Sequence, residues 1–450
     1  MRSRSCTAIV LLAALLAHET TTPLSVSAES PTTSTIVSTS AVKWFEQNQD
    51  DFLDLYRWLH QHPELSFEEE KTAAKLAEIW QELGFEMTTG VGGHGIVGVM
   101  RNGNGPVVMI RTDLDALPVT EQTPLPFAST VQSTREDGSS TGVMHACGHD
   151  IHMTNLTTVG RYMSEHRDQW SGTLMMIGQP AEELGEGAKA MLEDGLFTRF
   201  PKPDYALAIH VSADKPTGAI SLMPGYSLAN VDSVDITVKG RGGHGSAPHS
   251  TIDPIVQAAD LVLSLQMIVS REVKPIEPAV VTVGSIHGGT KHNVIGNDCK
   301  LQLTVRSYSE EVRQQVLAAI RRRALAVAMA HNAEEPDVLI SQGTPSLRND
   351  DELTARMTKL FSDVLGVENM IPGEQSMGGE DFSRYGIAGV PILMYSVGSV
   401  DQSRLDRFEQ LGIPAPSLHS GIYYPDAPET LKTAFTTMTA SLLDLLQPSP

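Results

Sequence analysis

Between Gly142 and Asn155 the chain reads GVMHACGHDIHMTN, which sets His145, Cys147, His149 and His152 within eight residues. A thiolate and imidazoles at this spacing suit a divalent cation, because Zn²⁺ accepts Cys, His and carboxylate ligands together. The same cluster also reads as a cysteine nucleophile beside its base, or as a helix start rich in histidine. Spacing alone leaves all three open, since it supplies candidates and not the groups that complete a site.

The completing groups come from the ends of aliphatic runs. Asp113 and Asp115 follow VVMIRT, Glu182 and Glu183 follow TLMMIGQPA, and His210 closes YALAI. Ligands of open α/β sheets gather beyond the carboxyl ends of the strands, so one sheet edge could collect these residues below Cys147 and His149. Adjacent glutamates make sense there: one can bind a cation while the other stays free as a general base. Taken alone, the pair also reads as a solvated helix N-terminus. Protease signatures around a catalytic cysteine do not match ACGH, and a zinc nucleobase deaminase needs a downstream Pro-Cys-x-x-Cys that this sequence lacks.

The elements that must position these residues follow from periodicity. WFEQNQDDFLDLYRWLHQH predicts a helix that breaks at Pro63, and SFEEEKTAAKLAEIWQEL predicts another, with Ser66 and Glu69 at capping-box spacing. Beyond it, short aliphatic runs alternate with helical patterns, which predicts an α/β domain with a mainly parallel sheet flanked by helices. From about Gly225 the rhythm becomes βαββαβ, the order of a small ferredoxin-like satellite domain. The expected organisation is a signal peptide at 1–28, a flexible lead-in at 29–40, a catalytic domain in two parts (41–224 and 343–450) and the satellite at 225–342.

Composition narrows the function classes. A chain of 450 residues that is 41% hydrophobic can bury the cores of more than one domain. Its 33 basic and 54 acidic residues give a formal charge of -21, which repels nucleic acid and anionic membranes. Arg2 and Arg4, the apolar run CTAIVLLAALLA and the small-residue stretch SVSAES read as a leader cleaved after Ala28, which predicts an exported, periplasmic or secreted protein. The run is shorter than the ~20 residues of a spanning helix, so no stable membrane anchor is expected. Cys147 and Cys299 then remain; Cys299 sits in the alternating NDCKLQLTV and is expected to be a small buried apolar residue, not a disulfide partner.

Eight ordered motifs carry a resemblance: RWLHQHPELSFEE, RTDLDALPV, GVMHACGHDIH, QPAEELGEGA, GRGGHGSAPH, NVIG, MGGEDFS and LHSGIYY. Together they resemble the dinuclear-metal aminoacylase/carboxypeptidase family of amidohydrolases over roughly residues 45 to 445. The match is nearest to the subgroup of hippurate hydrolase and the indole-acetyl-amino-acid hydrolases. The resemblance implies hydrolysis of N-acyl or N-aroyl amino acids, or of short peptide conjugates, by two divalent metal ions per subunit. Zinc is favoured by the thiolate, with manganese, cobalt or nickel as alternatives. It also implies a homodimer formed through the satellite domain. By motif, Cys147, His149, Glu183, His210 and His419 would bind metal, and Glu182 would take a proton from the metal-bound water and return one to the leaving amine. Asp113 and Asp115 would orient ligands without binding metal. His244 resembles a histidine that reaches across the dimer to the tetrahedral oxyanion. Asn293 and Arg306 would hold the substrate carboxylate, Arg306 by a bidentate pair. Gly296 and Gly421 stand where the family usually has proline, and the polar STVQSTREDGSSTG could border the substrate entrance. An exported carboxypeptidase or dipeptidase of the same mechanism, or a metal-binding protein without catalysis, are the alternatives; Glu182 favours an enzyme because it has no ligand role.

Overall fold

The computed structural model describes residues 33–447 apart from 136. Its larger sheet has eight strands, and its centre is parallel: Gly172–Gln179, Val107–Asp113, Tyr205–Pro216 and Ile392–Val400 lie side by side in that order. Gly95–Asn102 and then Glu86–Val91 extend one edge antiparallel. At the other edge Ile220–Leu222 runs antiparallel to Ile392–Val400, and Met370–Pro372 pairs parallel with it. The central strands are continuous aliphatic runs because helices cover both of their faces; Gly172–Gln179 is buried at every position but Thr173.

On one face the helices Thr33–Gln61, His149–Glu165 and Ala427–Leu445 meet in an aromatic cluster. Trp44 stacks on Phe435 with ring centroids 5.7 Å apart, and Tyr162 meets Trp44 edge-on at 5.2 Å. The short helix Gly187–Glu193 and the aromatic pair Phe382 and Tyr385 pack with the opposite face. The Ser/Thr-rich lead-in expected to 40 is helical from Thr33, because the long first helix is nucleated by the packing of its later turns and propagates backwards.

A second sheet takes the order Ala279–Gly288, Asp298–Ser307, Asn230–Lys239, Asp337–Gln342, all antiparallel. Helices Pro254–Arg271 and Glu310–Ala330 cover one face and build a separate core with Val234, Ile236, Leu261, Leu301 and Ile320. Burial therefore alternates strictly along Asp298–Leu303, and Cys299 is inside at 1% exposure. Cys147 and Cys299 are both unbridged. Asp253 and Ser309 cap the two helices by accepting from Ile255 and Val312 N–H.

The capping box expected at Ser66 and Glu69 does not form. The helix Glu70–Glu82 is capped by Glu64, whose carboxylate accepts the N–H groups of Lys71 and Thr72 at 3.2 and 2.8 Å. Ser66 and Glu69 turn instead toward the strand ends of the large sheet.

Candidate metal centre

Gly148 decides how the cysteine–histidine cluster meets the sheet. It precedes the helix His149–Glu165 with φ +77°, a region that disfavours side chains, and an added Cβ would lie 2.5 Å from Val211 Cγ2. The close approach sets Cys147 Sγ 3.4 Å from His210 Nε2. From the C-terminal segment His419 arrives with its own φ of +65°, its N–H bonded to the Ala146 carbonyl at 2.9 Å, and its Nε2 3.3 Å from the same sulfur. His149 Nε2 lies 3.8 Å from Glu183 Oε1, and His419 Nε2 3.5 Å from it. All five residues proposed from the sequence as ligands thus converge, with Glu182 in contact distance of the set.

The imidazole orientations are held from outside. Nδ1–H of His149 donates to the Asp115 carbonyl at 2.8 Å and that of His210 to the Val211 carbonyl at 2.8 Å, which leaves each Nε2 facing inward. His149 Nε2, Glu183 Oε1 and Asp115 Oδ1 are buried and find no hydrogen-bond partner. Orphaned acceptors of this kind, beside a thiol and a second carboxylate, fit a divalent cation. Without a cation the cage frustrates its own charges. Burial pushes the Cys147 thiol well up, and burial together with Glu380 and the adjacent Glu183 pushes the Glu182 carboxyl well up. Glu183 rises to about 7 through burial, against the pull of His149.

Asp113 and Asp115 anchor the cage from behind. Asp113 accepts from Arg111 at 2.8 Å and from His152 Nδ1 at 2.8 Å; Asp115 Oδ2 accepts from Ser66 Oγ at 2.6 Å and Glu183 N–H at 3.0 Å. His152 also accepts the Val211 N–H on Nε2 at 3.0 Å, so both of its ring nitrogens are engaged. It therefore supports the site without joining it, although it stands in the same motif. His145 is buried at the rear and held neutral, its affinity lowered by burial to about 4.

Several supporting residues carried no assigned role in the sequence reading. Arg111, wholly buried, pairs with Asp113, Glu380 at 2.8 Å and Asp381 at 3.2 Å, and so ties RTDLDALPV to MGGEDFS. Asp381 in turn accepts from Gln179 Nε2 and from Ala188 N–H. The two motifs signalled these residues, but only the packed sheet shows that they meet. His60 bridges Asp150 at 2.7 Å and Glu121 at 3.0 Å, linking the start of the cluster helix to the loop whose Gln122 N–H holds the Gly421 carbonyl. Burial opposes the His60 charge, yet the two carboxylates override it and raise the ring to about 9. With the folded value above the unfolded ~6.5, this stabilisation is complete below pH 6.5 and is lost as pH rises through 9. A shift of this size corresponds to about 3 kcal/mol. The expected result is a Tm that falls between pH 6.5 and 9 in the wild type and much less in His60→Gln; parallel curves for the two proteins would refute the assignment.

Cys147, Glu182, Glu183, His210 and His419 open onto a cavity of about 670 Å³ that Arg306 also lines. Apolar walls come from Leu222, Met223, Leu228, Met394 and Leu418. Arg306 projects from the satellite sheet, half-buried, donating to the Met377 carbonyl at 3.1 Å and to Thr304 Oγ1 at 3.2 Å, with no carboxylate partner among the described residues. His244 and Asn293 are not brought here. Both are exposed on the satellite domain, His244 accepting from Ser246 and Asn293 holding Gly245 through its carbonyl, and neither lines the cavity. The polar segment at 129–142 does not line it either; it forms the hairpin Gln132–Thr134 with Ser140–Gly142. Gly421 has a local reason, since a Cβ there would lie 2.5 Å from the Thr120 carbonyl, whereas Gly296 has no such crowding.

The profile of peptidase family M20/M25/M40 matches residues 109–408. The chain belongs to this family. It is 36% identical over 341 residues to thermostable carboxypeptidase 1 of Saccharolobus solfataricus, covering 75% of this chain and 83% of that one. To the N-acetylcysteine deacetylase of Bacillus subtilis it is 36% identical over 339 residues, covering 74% and 84%. Among solved structures, the Bacillus subtilis YXEP protein, described as a dinuclear metal binding peptidase, superimposes with a TM-score of 0.73 at 29% identity over 89% of this chain and 99% of that one. The M20 chain is accordingly an enzyme of amide hydrolysis, with an α/β fold of mainly parallel sheet.

One expectation is corrected by these comparisons. Export was inferred from the leader-like segment 1–28, which lies outside the described residues. The matching relatives of Bacillus subtilis include an N-acetylcysteine deacetylase and an N-acetyl-L-cysteine deacetylase, and a periplasmic or secreted location is withdrawn. The physical reason is that an apolar run behind two arginines is a weak signal when no packed structure tests it.

Proposed function

We propose that this M20 enzyme removes the acyl group from N-acylated amino acids. The observation that carries the reading is the Arg306 guanidinium, without an ion-pair partner among the described residues, in the wall of the cavity onto which Cys147, Glu183, His210 and His419 open. A free α-carboxylate beside the scissile amide gives Arg306 a planar partner it can hold by two parallel hydrogen bonds. The apolar wall of Leu222, Met223 and Met394 then receives the acyl group. A carboxypeptidase acting on short peptides presents the same carboxylate and remains the second reading, supported by the carboxypeptidase relative.

The five ligands would hold two divalent cations, zinc being favoured by the thiolate and manganese, cobalt or nickel also fitting such donors. The chemistry supplied by cations in such a cage is Lewis acidity, which makes an amide carbonyl electrophilic and water acidic near neutral pH. Glu182 takes the proton of the attacking water and hands it to the leaving amine nitrogen. Burial and the neighbouring Glu380 and Glu183 raise its proton affinity, the direction that suits a group that must accept a proton and later return it. Arg306 fixes the amino-acid end and leaves the amide carbon over the cage. Because His244 and Asn293 lie outside this cavity, we assign them to the cavity of a second copy, with the satellite domain as the dimer surface and His244 as donor to the oxyanion.

A panel of N-acyl amino acids, each paired with its C-terminal carboxamide, tests the reading. The expected result is that the free acids are preferred, and that Arg306→Ala raises KM for the acids by about 10²-fold with little change for the carboxamides, as expected when a charged hydrogen-bond pair worth about 3 kcal/mol is lost. Equal turnover of acids and carboxamides by the wild type would exclude it.

A further inference from the structure

Glu69 is fully buried, lies outside the ligand cage, and has one carboxylate oxygen bonded only to strained backbone. Its Oε1 accepts the N–H of Phe67 at 2.9 Å and the N–H of Ala181 at 2.8 Å. Phe67 and Ala181 have φ of +62° and +49°, left-handed values that residues with side chains rarely adopt and that persist only where the surroundings impose them. The other oxygen, Oε2, is buried without a partner.

Ala181 immediately precedes Glu182. Its carbonyl closes the turn by accepting from Gly187 N–H at 3.2 Å, and Gly187 sits so tightly that a Cβ would lie 1.5 Å from the Pro180 carbonyl oxygen. On the far side of Glu182, the Glu183 N–H is held by Asp115, which Ser66 holds in turn. The short segment from Ser66 to Glu69 therefore grips the backbone on both sides of Glu182, directly at Ala181 and through Asp115 at Glu183. Without the Glu69 acceptor, Ala181 loses the bond that offsets its unfavourable φ, and the turn can relax toward an ordinary right-handed or extended conformation. Such a relaxation swings the Cα–Cβ direction of the next residue.

We infer that Glu69 is a positioning residue, the acceptor that holds the Pro180–Glu183 turn in its left-handed form and so aims the Glu182 carboxylate at the reacting amide. The inference rests on Glu182 being the proton-transfer group. Burial raises the Glu69 carboxyl to about 7, so an uncharged acceptor of the same shape is a fair replacement.

The metal-loaded enzyme tests it through Glu69→Ala and Glu69→Gln, with kcat, KM, bound metal and Tm measured for each on one N-acyl amino acid. In Glu69→Ala, kcat falls by about 10²-fold, the usual consequence of a misplacement near 1 Å, while KM and metal content hold close to wild type. Glu69→Gln keeps an oxygen for the two N–H groups and recovers most of the loss. A kcat for Glu69→Ala near wild type overturns the inference. So does an equal fall in both variants, or a fall matched by lost metal or by a Tm below the assay temperature, each of which gives Glu69 a role in the fold alone. If Glu182→Ala itself retained turnover, the failure would lie in the assignment of Glu182 and not in the turn.

Discussion

Replacing Glu182 by alanine lowers kcat by about 10³-fold while the purified protein keeps its metal, the loss expected when a positioned acid–base group is removed. Glu182 is buried at the cavity wall next to Glu183, but the cage of Cys147, His149, His210 and His419 is assembled without it. Its removal takes away a proton carrier and leaves those inward-facing atoms in place. The same variant examines the assembly. His244→Ala protomers, deprived of the proposed oxyanion donor, are expected to be slower by about 10²–10³-fold. Mixed under conditions where subunits exchange, the two crippled proteins should regain activity, because a hybrid dimer contains one cavity with both groups. Near-wild-type turnover in Glu182→Ala excludes the proton-transfer role; hybrids that stay inactive after demonstrated exchange exclude the crossed His244.

Exhaustive chelation is the second large effect. It should abolish amide hydrolysis and lower Tm, and two equivalents of zinc per chain should restore both. Taking the cations away leaves Asp115, Glu182 and Glu183 crowded beside His149, with His149 Nε2 and Glu183 Oε1 unsatisfied. A cation present at a thousand times its dissociation constant stabilises the folded state by about 4 kcal/mol, so the shift in Tm is large enough to measure. Elemental analysis that finds no transition metal in an active preparation would end the cage as a catalytic centre.

Much of this site was legible before folding. Cys147 and His149 stood out by residue type and spacing, and the Glu182–Glu183 pair by its place after an aliphatic run, because strand ends in parallel sheets are where side chains from distant segments converge. In the satellite the strand Asp298–Ser307 was equally plain, since its residues alternate between exposed and buried over Asp298–Leu303. His419 and His244 were named only by resemblance, having no local pattern that separates them from loop histidines.

Other readings failed for a shared reason. Ser66 and Glu69 have the spacing of a capping box, but their partners are Asp115 and Ala181, 49 and 112 residues away. His152 shares the motif of the proposed ligands, and only the Val211 N–H at its second nitrogen sets it apart from them. Asn293 and Arg306 looked alike as carboxylate partners, yet one lies on an exposed loop and the other in the cavity wall.

By itself, then, the order of residues determined which chemistry was available: soft and hard metal donors, a spare carboxylate, elements with helical and strand periods, and a charge that repels nucleic acid. The tertiary structure decided which donors face inward, which imidazole nitrogen is free, and which loops never reach the cavity. Local periodicity reports only whether a side chain is buried. The partner it meets there depends on strand register and chain crossings between segments a hundred or more residues apart, and these exist only once the sheet is assembled.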